Sequence, residues 1–314
     1  MRIILAGAGG AIGIPLTGAL IHAGHEVIAL SRTADNAPAG TEPLVADALN
    51  HEGLLRAAAG MRADAVIHQL TALKKAPMRH RDMAATNRLR VEGTANLIAL
   101  AQEVGATSFL TQSMIFGYGY GDLGPRALTE DDPFGQPGHG PFHDHIDAMR
   151  STEQQAFAAD GIEGIALRYG IFYGAAGDPS IDQIRRGKLP VPKGGIMSRV
   201  HVEDAASATV AALERGRGGQ AYNIVDDEPA SWRDYYCALA EAYGASAPRA
   251  VPAWLLKATP YLHAIFRTAR LAPRGLERAS HGPPWTSSAS NRRRAPSRVF
   301  SLTPSESATQ QRRA

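Results

Sequence analysis

The stretch Arg2-Ile3-Ile4-Leu5-Ala6-Gly7-Ala8-Gly9-Gly10-Ala11-Ile12-Gly13 decides the fold of this chain. Its first five residues form an apolar, β-branched run typical of a buried strand, and the residues after Gly13 carry apolar side chains at helical spacing. A strand, a glycine-rich turn and a helix in direct succession are typical of a dinucleotide-binding unit. The stretch therefore predicts a Rossmann-type, doubly wound α/β fold whose first turn holds a pyrophosphate.

The glycines of this turn have separate roles. Gly7 permits a tight exit from the strand, Gly10 lets backbone N–H groups approach a pyrophosphate, and Gly13 lets the helix pack closely against the strand. The start of the helix adds unpaired N–H donors and the positive end of its dipole. The residues expected to bind the cofactor here are Gly7, Gly9, Gly10, Ala11, Ile12 and Gly13.

The composition is that of an ordinary soluble protein, and 314 residues can bury a sizeable core. The only cysteine, Cys237, excludes an intrachain disulfide and fits a reducing compartment. No apolar run approaches the roughly 20 residues that a membrane span needs, and the N-terminus does not have the pattern of a signal peptide. We therefore expect a cytoplasmic protein that acts without a membrane partner.

Charge is unevenly distributed along the chain. Residues 275–314 contain seven arginines and two glutamates, a net charge of +5, whereas the whole chain carries +3. Residues 1–274 therefore carry about −2, which gives nucleic-acid binding by this part no electrostatic support. The tail is rich in Ser, Pro and Arg without apolar periodicity, so we expect it to be disordered. A basic arm that binds nucleic acid and a frame-shifted C-terminus are the alternatives.

The end of the second strand, residues 26–30, bears on which cofactor is bound. In NAD-specific Rossmann proteins an acidic residue near this place binds the ribose 2′-hydroxyl. Here Ser31-Arg32 follows the strand, and a guanidinium suits the 2′-phosphate of NADP. NADP is therefore favoured, with NAD as the alternative because Asp35 is nearby. The alternative for Arg32 is a solvated surface residue.

Several segments resemble the extended branch of the short-chain dehydrogenase/reductase superfamily, the NAD(P)-dependent epimerase/dehydratase-like proteins. The Gly7-x-x-Gly10-x-x-Gly13 spacing is similar to that of the superfamily, residues 65–73 resemble the family's "VIHLAA" stretch, and residues 198–206 resemble "fvhVdDva.a". The resemblance covers about residues 1–256. It implies a nicotinamide cofactor with Asp47 near the adenine, where Asp47 can also cap a helix. It further places beside the cofactor Leu70, Thr71 and Ala72.

The resemblance also suggests groups that support catalysis. In the family, a hydroxyl after the fifth strand polarises the substrate oxygen. The segment 113–117 resembles the family's "SS..VYG", and Ser113 is the expected hydroxyl, with Thr111 as the other candidate. Asn87 opens a predicted helix over 87–104 and resembles a family asparagine that supports the catalytic groups.

The segment 164–174 resembles the family's "LRY.N.YGP". This implies a structural role for Arg168 and a position near the nicotinamide for Tyr169. Ile171 stands where the family has an asparagine that contacts the phosphate of nucleotide-sugar substrates, which counts against such a substrate. His68, at the end of the fourth strand, is expected to be a structural histidine.

The largest departure from the family concerns its Tyr-x-x-x-Lys pair, in which the tyrosine moves a proton and the lysine holds the nicotinamide ribose. Aligning Glu153 with the family's downstream glutamate puts His145 at the tyrosine position and Met149 at the lysine position. His145 is accordingly the expected acid/base. The alternatives are a tyrosine of the preceding loop, Tyr118 or Tyr120, or a protein that binds its cofactor without turnover.

The segment 117–145 is rich in Gly and Pro, and its length predicts a mobile loop over the site. Five side chains in and after it are of metal-binding types, but no rigid element is predicted to fix their geometry, so no metal is expected. They are His139, His143, Asp144, His145 and Asp147.

These inferences divide the chain into a dinucleotide-binding domain over 1–172, to which 199–226 return, a substrate lobe over 173–198 and 227–274, and the tail 275–314. The expected function is that of an NAD(P)-dependent oxidoreductase, epimerase or dehydratase acting on a small hydroxyl or carbonyl substrate. The alternative is a non-catalytic regulator that binds NADP. The family resemblance also allows a homodimer.

Overall fold

The computed structural model describes residues 1–73, 76–121, 123–124, 126–138, 140–192, 195–227, 230–252 and 259–268. The predicted α/β class is confirmed. In the described part of the chain the main sheet has seven parallel strands: β1 (Arg2–Ala6), β2 (Glu26–Ser31), β3 (Glu42–Val45), β4 (Ala65–His68), β5 (Ser108–Met114), β6 (Glu163–Tyr169) and β11 (Gln220–Ile224). Their order across the sheet is β11-β6-β5-β4-β1-β2-β3.

Helices cover both faces of this sheet. They are α1 (Gly13–His22), α2 (His51–Ala57), α3 (Ala84–Arg88), α4 (Thr94–Val104), α5 (His143–Phe157) and α7 (Val202–Arg215). A wide π-helical turn, Leu89–Gly93, joins α3 to α4. The helical path therefore runs over 84–104, three residues longer at its start than the sequence predicts, and it is widened in the middle.

The strands are buried on both sides, as expected for a parallel sheet between two helical layers. On one face Ile3 packs with Leu16 of α1 and Ala205 of α7. On the other face Ile4 packs with Leu97 of α4. Their burial fixes the register of β1, because a shift by one residue would exchange the two faces.

The remaining elements form a smaller unit. β7 (Ile171–Tyr173) pairs with β10 (Arg199–His201), β8 (Val191–Pro192) with β13 (Ala250–Val251), and β9 (Ile196–Met197) with β12 (Ala230–Ser231). The helices are α6 (Pro179–Arg185), α8 (Trp232–Ala242) and α9 (Pro260–Arg267). Apolar side chains of α8 and α9, including Trp232 and Tyr261, share a cluster with Ile146 of α5 and with Phe116.

The predicted boundary between a cofactor domain and a substrate lobe stays a prediction. The tail 275–314 and the apolar segment 253–256 lie outside the described residues. Among the described helices, none combines the length and the apolar character that crossing a membrane requires.

The turn after β1 is as tight as its glycines predict. Gly7 has a φ of +94°, a conformation that L side chains rarely adopt. A Cβ on Gly13 would lie 2.0 Å from the carbonyl oxygen of Gly7, so α1 can approach β1 this closely only with glycine there. The strand order reverses between β1 and β4, and ligands of such sheets bind in the crevice at the carboxyl ends of the strands. The turn lies at this crevice.

A buried ion pair fixes α5 to the sheet. Nη2 of Arg168 donates to Oε2 of Glu153 at 2.7 Å, and the two side chains are only 7% and 4% exposed. Nη1 of Arg168 donates to the hydroxyl of Tyr118 at 2.8 Å, and the guanidinium lies 3.8 Å from the ring centre of Phe134. The geometry thus gives Arg168 a structural role. Because Glu153 belongs to α5, the pair also positions the first turns of that helix.

We expect Glu153→Ala to lower the free energy of unfolding by about 3–5 kcal/mol, because it leaves the charge of Arg168 buried without a partner. Urea denaturation followed by circular dichroism measures this loss. Glu52→Ala, which removes an exposed pair with Arg56, is the matched control and should change the value by less than about 0.5 kcal/mol. A similarly small effect for both variants would contradict the role of the buried pair.

Candidate active site

The turn between β1 and α1 presents an exposed backbone at residues 9–11. A Cβ on Gly9 would lie 2.8 Å from the carbonyl oxygen of Asn36, so this close approach requires glycine. Helix α1 has no side-chain cap and no acidic residue in its first turn. The positive end of its dipole is therefore available to an anion, whereas the N–H of Ile14 already donates to the carbonyl of Gly10 at 3.1 Å. Together these features fit the pyrophosphate of a dinucleotide.

Arg32 is exposed directly after β2, and the turn that follows, Ala34–Asn36, packs against Gly9. The guanidinium thus belongs to the same edge of the sheet as the glycine turn. Contact between Arg32 and a cofactor phosphate stays a prediction.

Asp47 is exposed after β3, and its Oδ1 accepts a hydrogen bond from the N–H of Leu49 at 2.9 Å. The expectation that Asp47 also caps the next helix is wrong. Asn50 caps α2 instead, because its Oδ1 accepts from the N–H of Gly53 at 3.0 Å. The adenine contact of Asp47 stays a prediction.

The chain leaving β4 runs beside the glycine turn. A Cβ on Gly7 would lie 2.9 Å from the carbonyl oxygen of Gln69. Three residues that follow are half-buried or exposed at this edge: Leu70, Thr71 and Ala72. Their contact with a cofactor stays a prediction.

Tyr169 lies wholly inside the protein at the end of β6. Its hydroxyl bonds to the amide nitrogen of Gln69 at 3.0 Å and to the hydroxyl of Thr209 at 2.6 Å, and burial raises its pKa. The tyrosine therefore supports the crevice through Gln69, and its assignment to the cofactor stays a prediction.

Besides Nε2 of His68, which ends β4, four buried polar atoms near the carboxyl ends of β4 and β5 have no hydrogen-bond partner among the described residues. Such atoms mark places where a ligand or water completes the hydrogen bonding. They are Oε1 of Gln69, Oδ1 of Asn87, Oε1 of Gln112 and Oγ of Ser113.

Ser113 lies on the same face of β5 as Thr111, because side chains alternate along a strand. The hydroxyl of Thr111 bonds to that of Thr152 in α5 at 2.8 Å, so this face points towards α5. Thr111 is therefore committed to the core, whereas the hydroxyl of Ser113 has no partner among the described residues. Of the two candidate hydroxyls, the geometry favours Ser113.

His145 lies in the first turn of α5 and is only 3% exposed. The side-chain amide nitrogen of Asn87 lies 2.9 Å from its Nδ1, and Nδ1 of His80 lies 2.9 Å from its Nε2. Since the Asn87 N–H donates to Nδ1, the proton of a neutral His145 is on Nε2, which donates to His80. The three side chains form a continuous hydrogen-bonded row from helix α3 to the half-buried His80.

Burial, with a smaller contribution from His80, lowers the pKa of His145 to about 4. The imidazole is therefore neutral at neutral pH. It can donate a hydrogen bond through Nε2, but it does not store a proton for transfer.

Aromatic rings enclose this histidine row. The ring centres of Tyr261 and His145 are 5.1 Å apart, and those of Phe142 and His80 are 4.6 Å apart. Tyr120 lies against Phe142 with ring centres at 4.1 Å, and its hydroxyl is 3.0 Å from that of Tyr261. The surroundings of His145 are therefore rich in aromatic rings.

The two loop tyrosines have different surroundings. Tyr118 donates to Oδ1 of Asn223 at 2.9 Å and accepts from Arg168, and burial raises its pKa to about 12. It belongs to the structural network of the buried ion pair. Tyr120 lies in the aromatic group beside His145, and burial raises its pKa well above the usual value.

Arg90 adds a cation to this region. It lies in the wide turn after α3, is 6% exposed, and burial lowers its pKa. The turn that carries it packs against α5, the helix of His145. Its charge lowers the pKa of both His68 and His145. His68 is itself 2% exposed, and its Nδ1 accepts from the N–H of Leu70. Its Nε2 has no hydrogen-bond partner among the described residues, so its structural role stays a prediction.

Three residues of this site were not identified from the sequence: His80, Arg90 and Tyr261. They come from a short 3₁₀ helix (His80–Met83), the wide turn between α3 and α4, and the last described helix, and no motif includes them. No sequence signal marks Arg90 either, because charged and apolar residues alternate over 88–92.

The segment 117–145 is packed in the parts that the structure describes. The ring of Phe134 occupies the place that a Cβ on Gly117 would take, and Arg126 pairs with Asp132. Among the described residues, no group of three or more His, Cys, Asp or Glu side chains could hold a metal ion. His139 lies outside the described residues.

Comparison with known proteins gives a consistent result. The sequence model of the NAD dependent epimerase/dehydratase family matches residues 3–225. A 3-diazoavenalumate denitrifying reductase from a Streptomyces species is 39% identical over 287 residues, which cover 86% of this chain and 90% of that protein.

Two solved structures show the same fold. The UDP-glucose 4-epimerase of Thermus thermophilus in complex with NAD is 24% identical, with a TM-score of 0.71 over 90% of this chain and 93% of that one. A human epimerase family protein in complex with NADPH is 18% identical, with a TM-score of 0.73 over 94% and 95% of the two chains.

The two buried histidines, His68 and His145, are expected to make the folded protein less stable as the pH falls. The pKa of His68 and of His145 is about 4 in the folded protein against 6.5 unfolded, so between these values the unfolded chain binds more protons. Their stabilising contribution is complete above about pH 6.5 and is lost as the pH falls towards 4. Asp226 opposes this trend, because burial raises its pKa to about 6.

We expect the variant His68→Gln to lose less stability than the wild type when the pH is lowered from 6.5 to 4. Thermal unfolding at a series of pH values measures this loss. His22→Gln, at an exposed position, is the control and should follow the wild type. A His68→Gln curve parallel to that of the wild type would contradict the low pKa of His68.

Proposed function

The chain belongs to the NAD dependent epimerase/dehydratase family, as its motifs predict, and from this premise we propose that it is an NADPH-dependent reductase of a small aromatic substrate. One observation carries the proposal. A neutral His145, held between Asn87 and His80, lies in the first turn of α5, where the family resemblance implies the proton-transferring tyrosine. It is enclosed by aromatic rings next to buried polar atoms that a ligand would satisfy.

The residues that would hold the cofactor line one edge of the sheet. The backbone of residues 9–13 and the start of α1 would bind the pyrophosphate, and Asp47 would lie near the adenine. Arg32 would pair with the 2′-phosphate, since its guanidinium is exposed at the end of β2. This last contact is the reason for proposing NADPH rather than NADH.

The proposed role of His145 follows from its neutral state. When a substrate is reduced, negative charge develops on it, and the Nε2–H of a neutral His145 would stabilise that charge if the substrate oxygen replaces Nδ1 of His80 as its acceptor. At neutral pH an imidazole with a pKa of about 4 is a poor source of protons. The site therefore suits a reduction that consumes no proton better than it suits reduction of a carbonyl.

Removal of nitrogen from an aromatic diazo compound is such a reaction. Bound NADPH would supply a hydride that replaces the N₂ group of a diazo phenol in its neutral quinone-diazide form, so that the phenolate, N₂ and NADP⁺ form without a proton donated by the protein. The relative with 39% identity is named a denitrifying reductase, which supports this choice. Phe142 and Tyr261 would pack against the substrate ring, and Ser113 would donate to a ring substituent.

A non-catalytic NADP-binding regulator is the second candidate. The observation that favours it is Met149, which replaces the family's lysine with a buried thioether and leaves the nicotinamide ribose without that contact. This candidate predicts cofactor binding without turnover.

Arg32→Ala should weaken NADPH binding by about 10- to 100-fold, because a charge-assisted hydrogen bond to the 2′-phosphate is lost. NADH binding should not change. Isothermal titration calorimetry measures both affinities. Arg56→Ala, at an exposed position of α2, is the control, and an equal effect of Arg32→Ala on both cofactors would contradict the phosphate contact.

The reductase should oxidise NADPH with 4-hydroxybenzenediazonium, releasing one N₂ per NADPH, and should act more slowly on 4-hydroxyacetophenone. His145→Ala should lower kcat about 100-fold while NADPH affinity is unchanged, because a hydrogen-bond donor to developing charge is removed. The loss of NADPH absorbance follows the reaction, with a blank without enzyme for the spontaneous rate.

His22→Ala serves as the control for a histidine remote from the site. Tight NADPH binding without oxidation by either substrate would favour the regulator. Unchanged turnover in His145→Ala and Ser113→Ala would show that the site is assigned incorrectly.

A further inference from the structure

Arg90 is a buried cation that the proposed reduction does not use. Among the described residues its guanidinium has no hydrogen bond and no ion pair. The other buried arginines differ in this respect. Arg168 is paired with Glu153, and Arg199 donates to backbone carbonyls and lies over the ring of Trp232. An arginine stays charged even when buried, so an unpaired one calls for an anion.

The groups that act electrostatically on Arg90, or on which it acts, are neutral. Burial raises the pKa of the phenols of Tyr120 and Tyr261, and it lowers the pKa of the imidazoles of His68 and His145. None of the four supplies a negative charge at neutral pH. Within the described part of the chain, no side chain that interacts with Arg90 supplies a negative charge, so a ligand is left to supply it.

We propose that Arg90 binds the carboxylate of the substrate, which is then a planar aromatic acid with its ring against Tyr261 and its reacting atom near His145. A guanidinium forms two parallel hydrogen bonds with a carboxylate, and this geometry would orient the ring. The inference rests on the proposed function for the reaction, but the binding step stands independently of turnover.

A carboxylate fits this place better than a phosphate does. One guanidinium neutralises one carboxylate, whereas a phosphate dianion needs a second cation or several N–H donors. The described side chains that interact with Arg90 supply no second cation. The flat aromatic surroundings also match a conjugated acid.

Calorimetric titration of the full-length protein with NADP⁺ present tests the site with three probes: 4-hydroxycinnamate, its amide and inorganic phosphate. We expect the acid to bind the wild type at least about 10-fold more tightly than the amide does, and to lose that advantage in Arg90→Gln. Arg90→Lys should retain part of it. Equal binding of acid and amide, or no binding of the acid, overturns the proposal.

Phosphate should not compete with the acid. If phosphate competes with the acid for the wild type but not for Arg90→Gln, the site binds phosphate and the proposal of a carboxylate site is overturned. Arg88→Gln is the matched control, because Arg88 is exposed on the same helix and pairs with Glu92. It should bind the acid like the wild type.

Thermal unfolding without ligand separates a binding role from a structural one. Arg90→Gln removes a buried charge without a partner, so its Tm should equal or exceed that of the wild type. A Tm several degrees lower would assign Arg90 a structural role and overturn the proposal.

These measurements also distinguish the two proposals from each other. Binding of the acid without any NADPH oxidation would leave the carboxylate site standing and refute the reductase. Oxidation of NADPH with neutral aryl substrates as fast as with acids would support the reductase and refute the carboxylate site.

Discussion

The buried ion pair between Glu153 and Arg168 is the interaction on which the candidate site depends. Taking two charges out of water is costly unless their hydrogen bonds are made, and here Nε, Nη1 and Nη2 of the guanidinium all have acceptors. The pair ties α5 to β6. Thr152, the preceding residue, ties the same helix to β5 and α4 through a chain of hydroxyls. His145 lies about two turns earlier on α5, so this anchoring sets its position relative to the strand ends.

Burial explains both the chemistry that this site can perform and the chemistry that it cannot. A low-dielectric environment favours the uncharged forms of imidazoles and phenols, which makes His145 a donor of hydrogen bonds rather than of protons. Arg90 cannot follow this trend, because a guanidinium stays protonated in proteins. The same environment therefore contains neutral catalytic candidates and one fixed positive charge next to them.

Much of this arrangement was predictable from local patterns. The glycine turn, the parallel strands and the structural role of Arg168 all agree with the structure. The cap of α2 was misassigned to Asp47, because neighbouring polar residues offer equivalent capping signals and only the backbone geometry shows that Asn50 takes the role. The sequence favoured Ser113 over Thr111, but only the structure shows that the hydroxyl of Thr111 is already bonded to Thr152.

The sequence by itself determined the fold, the family and the presence of a dinucleotide turn, because these depend on short-range periodicity and on the backbone freedom of glycine. Only the tertiary structure decided what surrounds His145. His80 is 65 residues away along the chain, and Tyr261, whose ring faces His145, comes from the last described helix. Contacts between such distant residues leave no periodic signal, and whether a histidine is neutral or an arginine unpaired depends on burial that the complete fold creates.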